Sequence, residues 1–182
     1  MKVIVLDRDG VINHDSDDYI KSADEWVPIK GSLEAIAQMN HAGFSVAVAT
    51  NQSGIARGLY GIEALHDMHN KMSTMLEAIG GSVDAIFYCP HAPSKHCSCR
   101  KPEPGMLLDI ARRFDYTSLS GVYFVGDTYR DIEAARAAGA KPVLVRTGKG
   151  VRTLQVCTDE QLQDVQVFDD LLAVVNELLV VK

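Results

Sequence analysis

The feature that most constrains the fold is an alternation of short, apolar, β-branched runs with segments of helical period. Strand-like runs occupy residues 3–6, 44–49, 85–88, 122–125 and 143–145, and helical segments occupy residues 32–42, 62–79, 106–114 and 131–138. Residues 165–168 are a candidate edge strand before a final apolar helix over residues 171–182. Strand and helix in alternation are typical of a parallel sheet with helices on both faces. The sequence therefore predicts a doubly wound α/β fold.

Length and charge narrow the class of protein. The 182 residues, 47% of them hydrophobic, suffice for one substantial core, and no linker or repeat divides them, so we expect one domain over residues 1–182. The net charge of −6 argues against nucleic acid and favours a small-molecule partner. The last apolar run is shorter than a membrane span, and the first residues do not resemble a signal peptide. We expect a monomeric, cytoplasmic protein without a membrane partner.

Polar side chains follow four of the predicted strands, at the sheet edge where ligands bind in such folds. They are Asp7 and Asp9, then Thr50, then Lys101, and finally Asp127 with Asp131. Clustered carboxylates repel one another unless a cation lies among them, and Mg²⁺ prefers oxygen ligands. A lysine and a hydroxyl beside them can hold phosphate oxygens. Each residue alone could be a turn former or a helix cap, but together they predict magnesium-dependent phosphoryl transfer.

Four segments containing these residues resemble, in order, the motifs of the haloacid dehalogenase superfamily. They read "VLDRDGVIN", "VATNQSG", "RKPEPGM" and "VYFVGDTYRDIEAA". The resemblance implies that Asp7 is the nucleophile, forming an aspartyl-phosphate, and that Asp9 is the general acid and base. Thr50 and Lys101 would hold the phosphoryl oxygens.

The same resemblance implies a ligand set for Mg²⁺. Asp7, the backbone carbonyl of Asp9 and Asp127 would bind the ion, and Asp131 would orient this set. Many members of the superfamily carry a cap domain between motifs, but the intervals 10–49 and 53–100 are too short for one. The site should therefore be open, with specificity set by loops.

Within the superfamily, "TNQSGIARG" and the cysteine-rich stretch are similar to the D,D-heptose 1,7-bisphosphate phosphatases, which serve the biosynthesis of bacterial surface glycans. The resemblance implies substrate contacts, with Arg100 as the main specificity residue, from Asp15, Tyr19, Thr50, Asn51, Gln52, Ser53, Arg100 and Lys101. Two alternatives remain open: a histidinol-phosphate phosphatase, and a non-catalytic binding protein held by zinc.

The sequence departs from this family at two places. The segment "NHDSDDYI" is about one residue longer than the family's loop, so Asp17 or Asp18 could replace Asp15 as a sugar contact. Thr128 occupies the position where the family has a lysine, which affects the charge balance around Mg²⁺.

The stretch "YCPHAPSKHCSCRKPEPG" contains three of the four cysteines. Cys89, His91, Cys97 and Cys99 form a three-cysteine, one-histidine set, which is typical of a closed, structural zinc site. His96 is a weaker candidate for the fourth ligand, and Cys157 stands apart as a structural thiol. A disulfide is disfavoured by the expected reducing compartment. We therefore predict a zinc-stapled loop that positions Arg100 and Lys101.

Overall fold

The computed structural model describes residues 2–180, which form a sheet of six strands with helices around it. The strands are β1 (Lys2–Leu6), β2 (Phe44–Asn51), β3 (Ala85–Cys89), β4 (Tyr123–Gly126), β5 (Lys141–Val145) and β6 (Gln166–Phe168). The α-helices are α1 (Ser32–His41), α2 (Ile62–Glu77), α3 (Gly105–Arg113), α4 (Tyr129–Ala138), α5 (Gly150–Val156) and α6 (Leu171–Val180). A short 3₁₀ turn covers Pro93–Lys95.

The strand order is β3-β2-β1-β4-β5-β6, and every neighbouring pair is parallel. The chain builds the sheet outward from β1 in one direction and then returns to add β4 on the other side. Leu6 pairs with Val125 across this junction, and the Asp7 N–H donates to the Val125 carbonyl at 2.8 Å. The junction between β1 and β4 is the topological switch point, where such folds bind their ligands.

Both faces of the sheet are buried, which explains the nearly continuous apolar runs of its central strands. On one face, Ile4 and Leu6 of β1 pack in a cluster with residues of α1, α2 and α6. On the other face, Val3 and Val5 pack with residues of α3 and α4. These observations confirm the prediction of a doubly wound α/β sheet.

Differences from the expected elements are local. β4 is displaced by one residue, to Tyr123–Gly126, and the candidate edge strand is present as β6. The sequence analysis did not predict α5, in which Gly150 and Thr153 are the buried residues, so it has no apolar face to read. The final two residues of the predicted last helix, 181–182, lie outside the described residues. Within residues 2–180, none of the helices has the length and apolar character needed to cross a membrane.

Candidate active site

The polar residues that follow the strands lie around one cavity of about 300 Å³ at the carboxyl edge of β1, β2 and β4. The structure brings there all the predicted residues of the aspartate site and its substrate contacts, namely Asp7, Asp9, Asp15, Tyr19, Thr50, Asn51, Gln52, Ser53, Arg100, Lys101, Asp127 and Asp131. The acidic residues, the hydroxyl and the lysine predicted to act together are therefore in one place.

Lys101 lies at the centre of the acidic cluster, with a side chain that is only 2% exposed. Its Nζ atom is 2.9 Å from Asp7 Oδ1, 2.7 Å from Asp131 Oδ1, and donates to the Ala49 carbonyl at 2.9 Å. Burial opposes the charge of Lys101, but Asp131 and Asp7 raise its pKa above the usual value. The ammonium group is therefore held charged by two carboxylates.

One lysine does not balance the carboxylates around it. Oxygens of Asp7, Asp127 and Asp131 lie within 4.8 Å of one another. Burial raises the pKa of Asp7 to about 7 despite Lys101, and burial together with Asp131 and Asp7 raises the pKa of Asp127 to about 8. Such shifts indicate that the cluster lacks positive charge. Its oxygen donors and small size suit a divalent cation such as Mg²⁺.

Asp131 differs from its neighbours because it is well supplied with donors. Burial alone would raise its pKa, but Lys101 and the N–H and hydroxyl of Thr128 lower it below the usual value. Thr128 donates to Asp131 Oδ2 from its backbone at 3.0 Å and from its hydroxyl at 2.7 Å, in a capping box that begins α4. The threonine that replaces the expected lysine therefore orients Asp131.

Asp127 is held in a space that only glycines leave open. A Cβ atom on Gly10 would lie 2.1 Å from Asp127 Oδ2, and one on Gly148 would lie 2.2 Å from the same atom; both residues have positive φ. The Lys149 N–H donates to Asp127 Oδ2 at 2.7 Å, and the Thr153 hydroxyl donates to the Asp127 carbonyl at 2.9 Å. The unpredicted helix α5 and the residue before it therefore hold Asp127 in place through these two hydrogen bonds.

Asp9 is surrounded by hydrogen-bond donors. Arg8 Nη2 lies 2.8 Å from Asp9 Oδ1 and 3.1 Å from Oδ2, Asn13 Nδ2 donates to Oδ1 at 2.9 Å, and Gln52 Nε2 donates to Oδ2 at 2.8 Å. Burial alone would raise the pKa of Asp9, but Arg8 and these amides outweigh burial and lower the pKa below the usual value. The structure therefore stabilises the carboxylate form of Asp9.

Arg8 was not predicted as part of the site, and its side chain is 0% exposed. Its Nη1 lies 3.3 Å from Nε2 of His69, on the buried face of α2. Burial and the Arg8 charge lower the pKa of His69 to about 4, so the ring is neutral near pH 7. A neutral ring can accept a hydrogen bond from Arg8, which keeps the guanidinium aimed at Asp9.

Residues after β2 organise the cavity by bonding to one another. The Asn51 side chain donates to the Lys101 carbonyl at 3.0 Å and accepts from the Lys101 N–H at 3.1 Å. Gln52 donates to the Thr50 hydroxyl at 2.8 Å and accepts from the Tyr60 hydroxyl at 2.6 Å. Asn51 therefore holds Lys101 by its backbone, and Gln52 connects Thr50 to Asp9.

The loop containing Asp15 is held at the cavity by ion pairs with Lys149. Lys149 Nζ lies 2.8 Å from Asp15 Oδ2 and 3.3 Å from Asp17 Oδ1. Asp15, Asp17 and Tyr19 line the cavity, whereas Asp18 is not among its lining residues. Two acidic side chains of this segment, Asp15 and Asp17, therefore face the site.

Beside the cavity, the predicted zinc ligands converge. Cys89 Sγ lies 3.5 Å from Cys97 Sγ, 3.2 Å from Cys99 Sγ and 3.6 Å from His91 Nδ1. These separations are much longer than a disulfide bond and close to the edges, about 3.8 Å, of a tetrahedron around zinc. His96 is exposed and outside this cluster. The geometry suits a zinc ion held by three thiolates and His91.

The loop that contains these four residues, 89–99, is joined directly to the cavity. Arg100 Nη1 donates to the His91 carbonyl at 3.2 Å. Arg100 lines the cavity, and Lys101 follows it in the chain. The conformation of the loop therefore affects the position of Arg100 through this hydrogen bond, and that of Lys101 through the chain.

Comparison with known proteins supports this description. Residues 98–174 match the model of a HAD-hydrolase-like family. The chain is 55% identical to the D-glycero-beta-D-manno-heptose-1,7-bisphosphate 7-phosphatase of Pseudomonas putida over 98% of this chain and 100% of that protein. It is 52% identical to the enzyme of the same name from Bordetella bronchiseptica over 98% of each chain.

Solved structures give the same result. The crystal structure of D,D-heptose 1,7-bisphosphate phosphatase from B. bronchiseptica, complexed with magnesium and phosphate, has a TM-score of 0.94 at 52% identity, with 98% of both chains covered. The phosphatase of that name from Burkholderia thailandensis has a TM-score of 0.77 at 42% identity, covering 98% of this chain and 99% of that one.

Proposed function

The chain belongs to the family of heptose 1,7-bisphosphate 7-phosphatases, and from this we propose that it hydrolyses the C7 phosphate of D-glycero-D-manno-heptose 1,7-bisphosphate. Relatives that match over nearly the full chain share the name, and one was solved with magnesium and phosphate. The observation that carries the proposal is the buried cluster of Asp7, Asp127 and Asp131 around Lys101, with Asp9 beside it. The whole chain, residues 1–182, would act as one capless phosphatase domain.

Mg²⁺ fits this cluster because three buried carboxylates face one lysine. We assign its ligands as Asp7, the backbone carbonyl of Asp9, and Asp127, with Asp131 held back by Lys101 and Thr128. When bound, the ion supplies positive charge to the carboxylates and to the phosphoryl oxygens.

Asp7 would attack phosphorus. Within residues 2–180, both Lys101 and the Arg8 N–H bind Asp7 at Oδ1, so we assign Oδ2 as the attacking oxygen. The Oδ2–phosphorus bond forms as the bond between phosphorus and the C7 oxygen breaks. Thr50 and Lys101 would bind the phosphoryl oxygens during transfer.

Asp9 would serve both halves of the reaction. A phosphate bound beside Asp9 adds negative charge, which raises the pKa of its carboxyl, so that Asp9 can carry the proton that it gives to the departing C7 oxygen. The resulting carboxylate, which Arg8, Asn13 and Gln52 stabilise, then takes a proton from the water that hydrolyses the aspartyl-phosphate. Inorganic phosphate leaves, and Asp7 returns to its starting form.

The open side of the cavity suits a polyhydroxylated sugar. Asp15, Tyr19 and Ser53 present acceptors and donors there, and Arg100 adds a planar, charged fork. The intact aspartate site favours this function over a non-catalytic binding protein. A histidinol-phosphate phosphatase would need the same catalytic residues, so the two enzymes separate by substrate.

A substrate panel tests the proposal. We expect kcat/KM to be at least about a hundredfold higher for one or both anomers of the heptose bisphosphate than for histidinol phosphate or fructose 1,6-bisphosphate, because buried polar contacts reject ligands that cannot pair with them. Phosphate release at limiting substrate gives these values directly. A preference for histidinol phosphate would replace the proposed function with the alternative.

We further propose that Cys89, His91, Cys97 and Cys99 hold a structural zinc ion. The support is the close approach of the four ligand atoms, together with a loop in which none of residues 90–96 is buried. Four protein ligands leave no open position for a reacting water. Zinc would then stabilise the loop that presents Arg100.

Replacing Cys97 by Ser tests the zinc site, since serine is a poor zinc ligand. Metal analysis should fall from about one zinc per chain to well below one, and the unfolding free energy should drop by several kcal/mol. Cys157→Ser, which removes a thiol outside the cluster, is the matched control and should keep its zinc. Full zinc content in the Cys97 variant would contradict the assigned ligand set.

A further inference from the structure

Two arginines from distant parts of the chain form one side of the active-site cavity. Arg100 follows the zinc-stapled loop, and Arg130 lies in the first turn of α4. Both also line a neighbouring groove of about 530 Å³, so they stand where the two spaces meet. Within residues 2–180, neither guanidinium forms an ion pair with a carboxylate.

This placement is electrostatically unfavourable without an anion. Arg130 lies at the positive end of the α4 macrodipole, where acidic residues are normally favoured. Asp131, the nearby acid, is already bound by Lys101 and Thr128. Arg100 and Arg130 both line the cavity and the groove beside it, so their positive charges lie close together. The two cations therefore repel each other in a region that would be stabilised by a ligand with negative charge.

We propose that Arg130 is a specificity residue which, with Arg100, binds the second phosphate of the substrate, the one that is not hydrolysed. This inference rests on the proposed function. The phosphoryl group to be transferred must lie against Asp7, Thr50 and Lys101, so the second phosphate extends toward the cavity wall. Guanidinium groups bind phosphate through paired N–H donors, and the His91 carbonyl already restrains Arg100.

Arg57 is the third arginine of the cavity, but it is engaged differently. Its guanidinium lies 6.0 Å from the centre of the Tyr19 ring, in a cation–π contact on the opposite loop. Arg100 and Arg130 have no such aromatic partner among the described residues. The pair is therefore better suited than Arg57 to receive the phosphate.

The test compares Arg130→Gln with wild type on heptose 1,7-bisphosphate and on heptose 7-phosphate, which lacks the second phosphate. We expect kcat/KM for the bisphosphate to fall about tenfold or more, while that for the monophosphate changes less than about twofold. The loss should lie mainly in KM. Inhibition by heptose 1-phosphate, the product, should weaken by a similar factor, and Arg130→Lys should restore part of both effects.

Arg112→Gln is the matched control, because Arg112 is an exposed arginine of α3 that pairs with Asp109 and lies outside the cavity. It should behave as wild type. Equal losses on both substrates, or no loss on either, would overturn the role of Arg130. If wild type itself fails to hydrolyse the bisphosphate, the proposed function fails instead, so the two outcomes are distinguishable.

Discussion

Replacing Asp7 by Asn should lower kcat by about 10⁴-fold or more, because an amide lacks the anionic oxygen that attacks phosphorus. Asparagine has nearly the same shape as aspartate, so the packing around β1 should be kept. Phosphate release under saturating Mg²⁺ measures the effect. Turnover within tenfold of wild type would contradict an aspartyl-phosphate formed on Asp7.

The same variant should also reveal the electrostatic cost of the cluster. The pKa of Asp7 is raised to about 7 in the folded chain, so its ionisation opposes folding. This cost grows as the pH rises from about 4 to about 7 and stays constant above that range. Without added Mg²⁺, Asp7→Asn should therefore gain stability relative to wild type between pH 5 and pH 8. Denaturant unfolding at both pH values measures the gain, and Asp169→Asn, an exposed acid, is the control that should show none.

Replacing Lys101 by Met should reduce both activity and stability. The variant leaves Asp7 and Asp131 buried without the ammonium that lies 2.9 Å and 2.7 Å from them. Loss of one partner from a buried ion pair costs about 3–5 kcal/mol. Loss of a positive charge aimed at the phosphoryl group should lower kcat by about 10²–10³-fold.

Unfolding in urea without added Mg²⁺, together with steady-state kinetics, measures these effects. Because Mg²⁺ binding to the native state adds stability, and the variant has a larger deficit of positive charge, Mg²⁺ should raise the stability of Lys101→Met more than that of wild type. Lys141→Met is the control, because Lys141 is an exposed lysine at the start of β5, and this variant should retain activity. A Lys101 variant as stable as wild type would show that these ion pairs contribute little in solution.

The sequence predicted the fold well because its signals are local. Apolar runs bounded by polar residues mark strands buried on both faces. The strand order, with β1 paired to β4, was not predicted, because it depends on contacts between segments far apart in the sequence. Helix α5 was not predicted because polar hydrogen bonds, and not an apolar face, attach it to the rest of the domain. Thr153 and the Lys149 N–H bond to Asp127, a contact between distant segments that hydrophobic period cannot show.

The residues proposed to act on the substrate were predicted more completely than the residues that hold them in place. Asp7, Asp9 and Asp127 follow strands within recognisable motifs, but the roles of Arg8 and Lys149 depend on partners far along the chain. Arg8 offered no local signal, because it lies in a bend past the end of β1 and its guanidinium binds the carboxylate of Asp9. His69 offered one, since it lies on the buried face of α2.

The pairing of β1 with β4 brings together proposed catalytic residues from two stretches of sequence. Residues up to α3 contribute Asp7, Asp9, Thr50 and Lys101, whereas the chain from β4 onward contributes Asp127 and Asp131. The segment between α3 and β4 includes exposed positions such as Gly121. If these residues act as proposed, hydrolysis requires both halves of the chain, and activity recovered from a chain cut in that segment would report their reassembly.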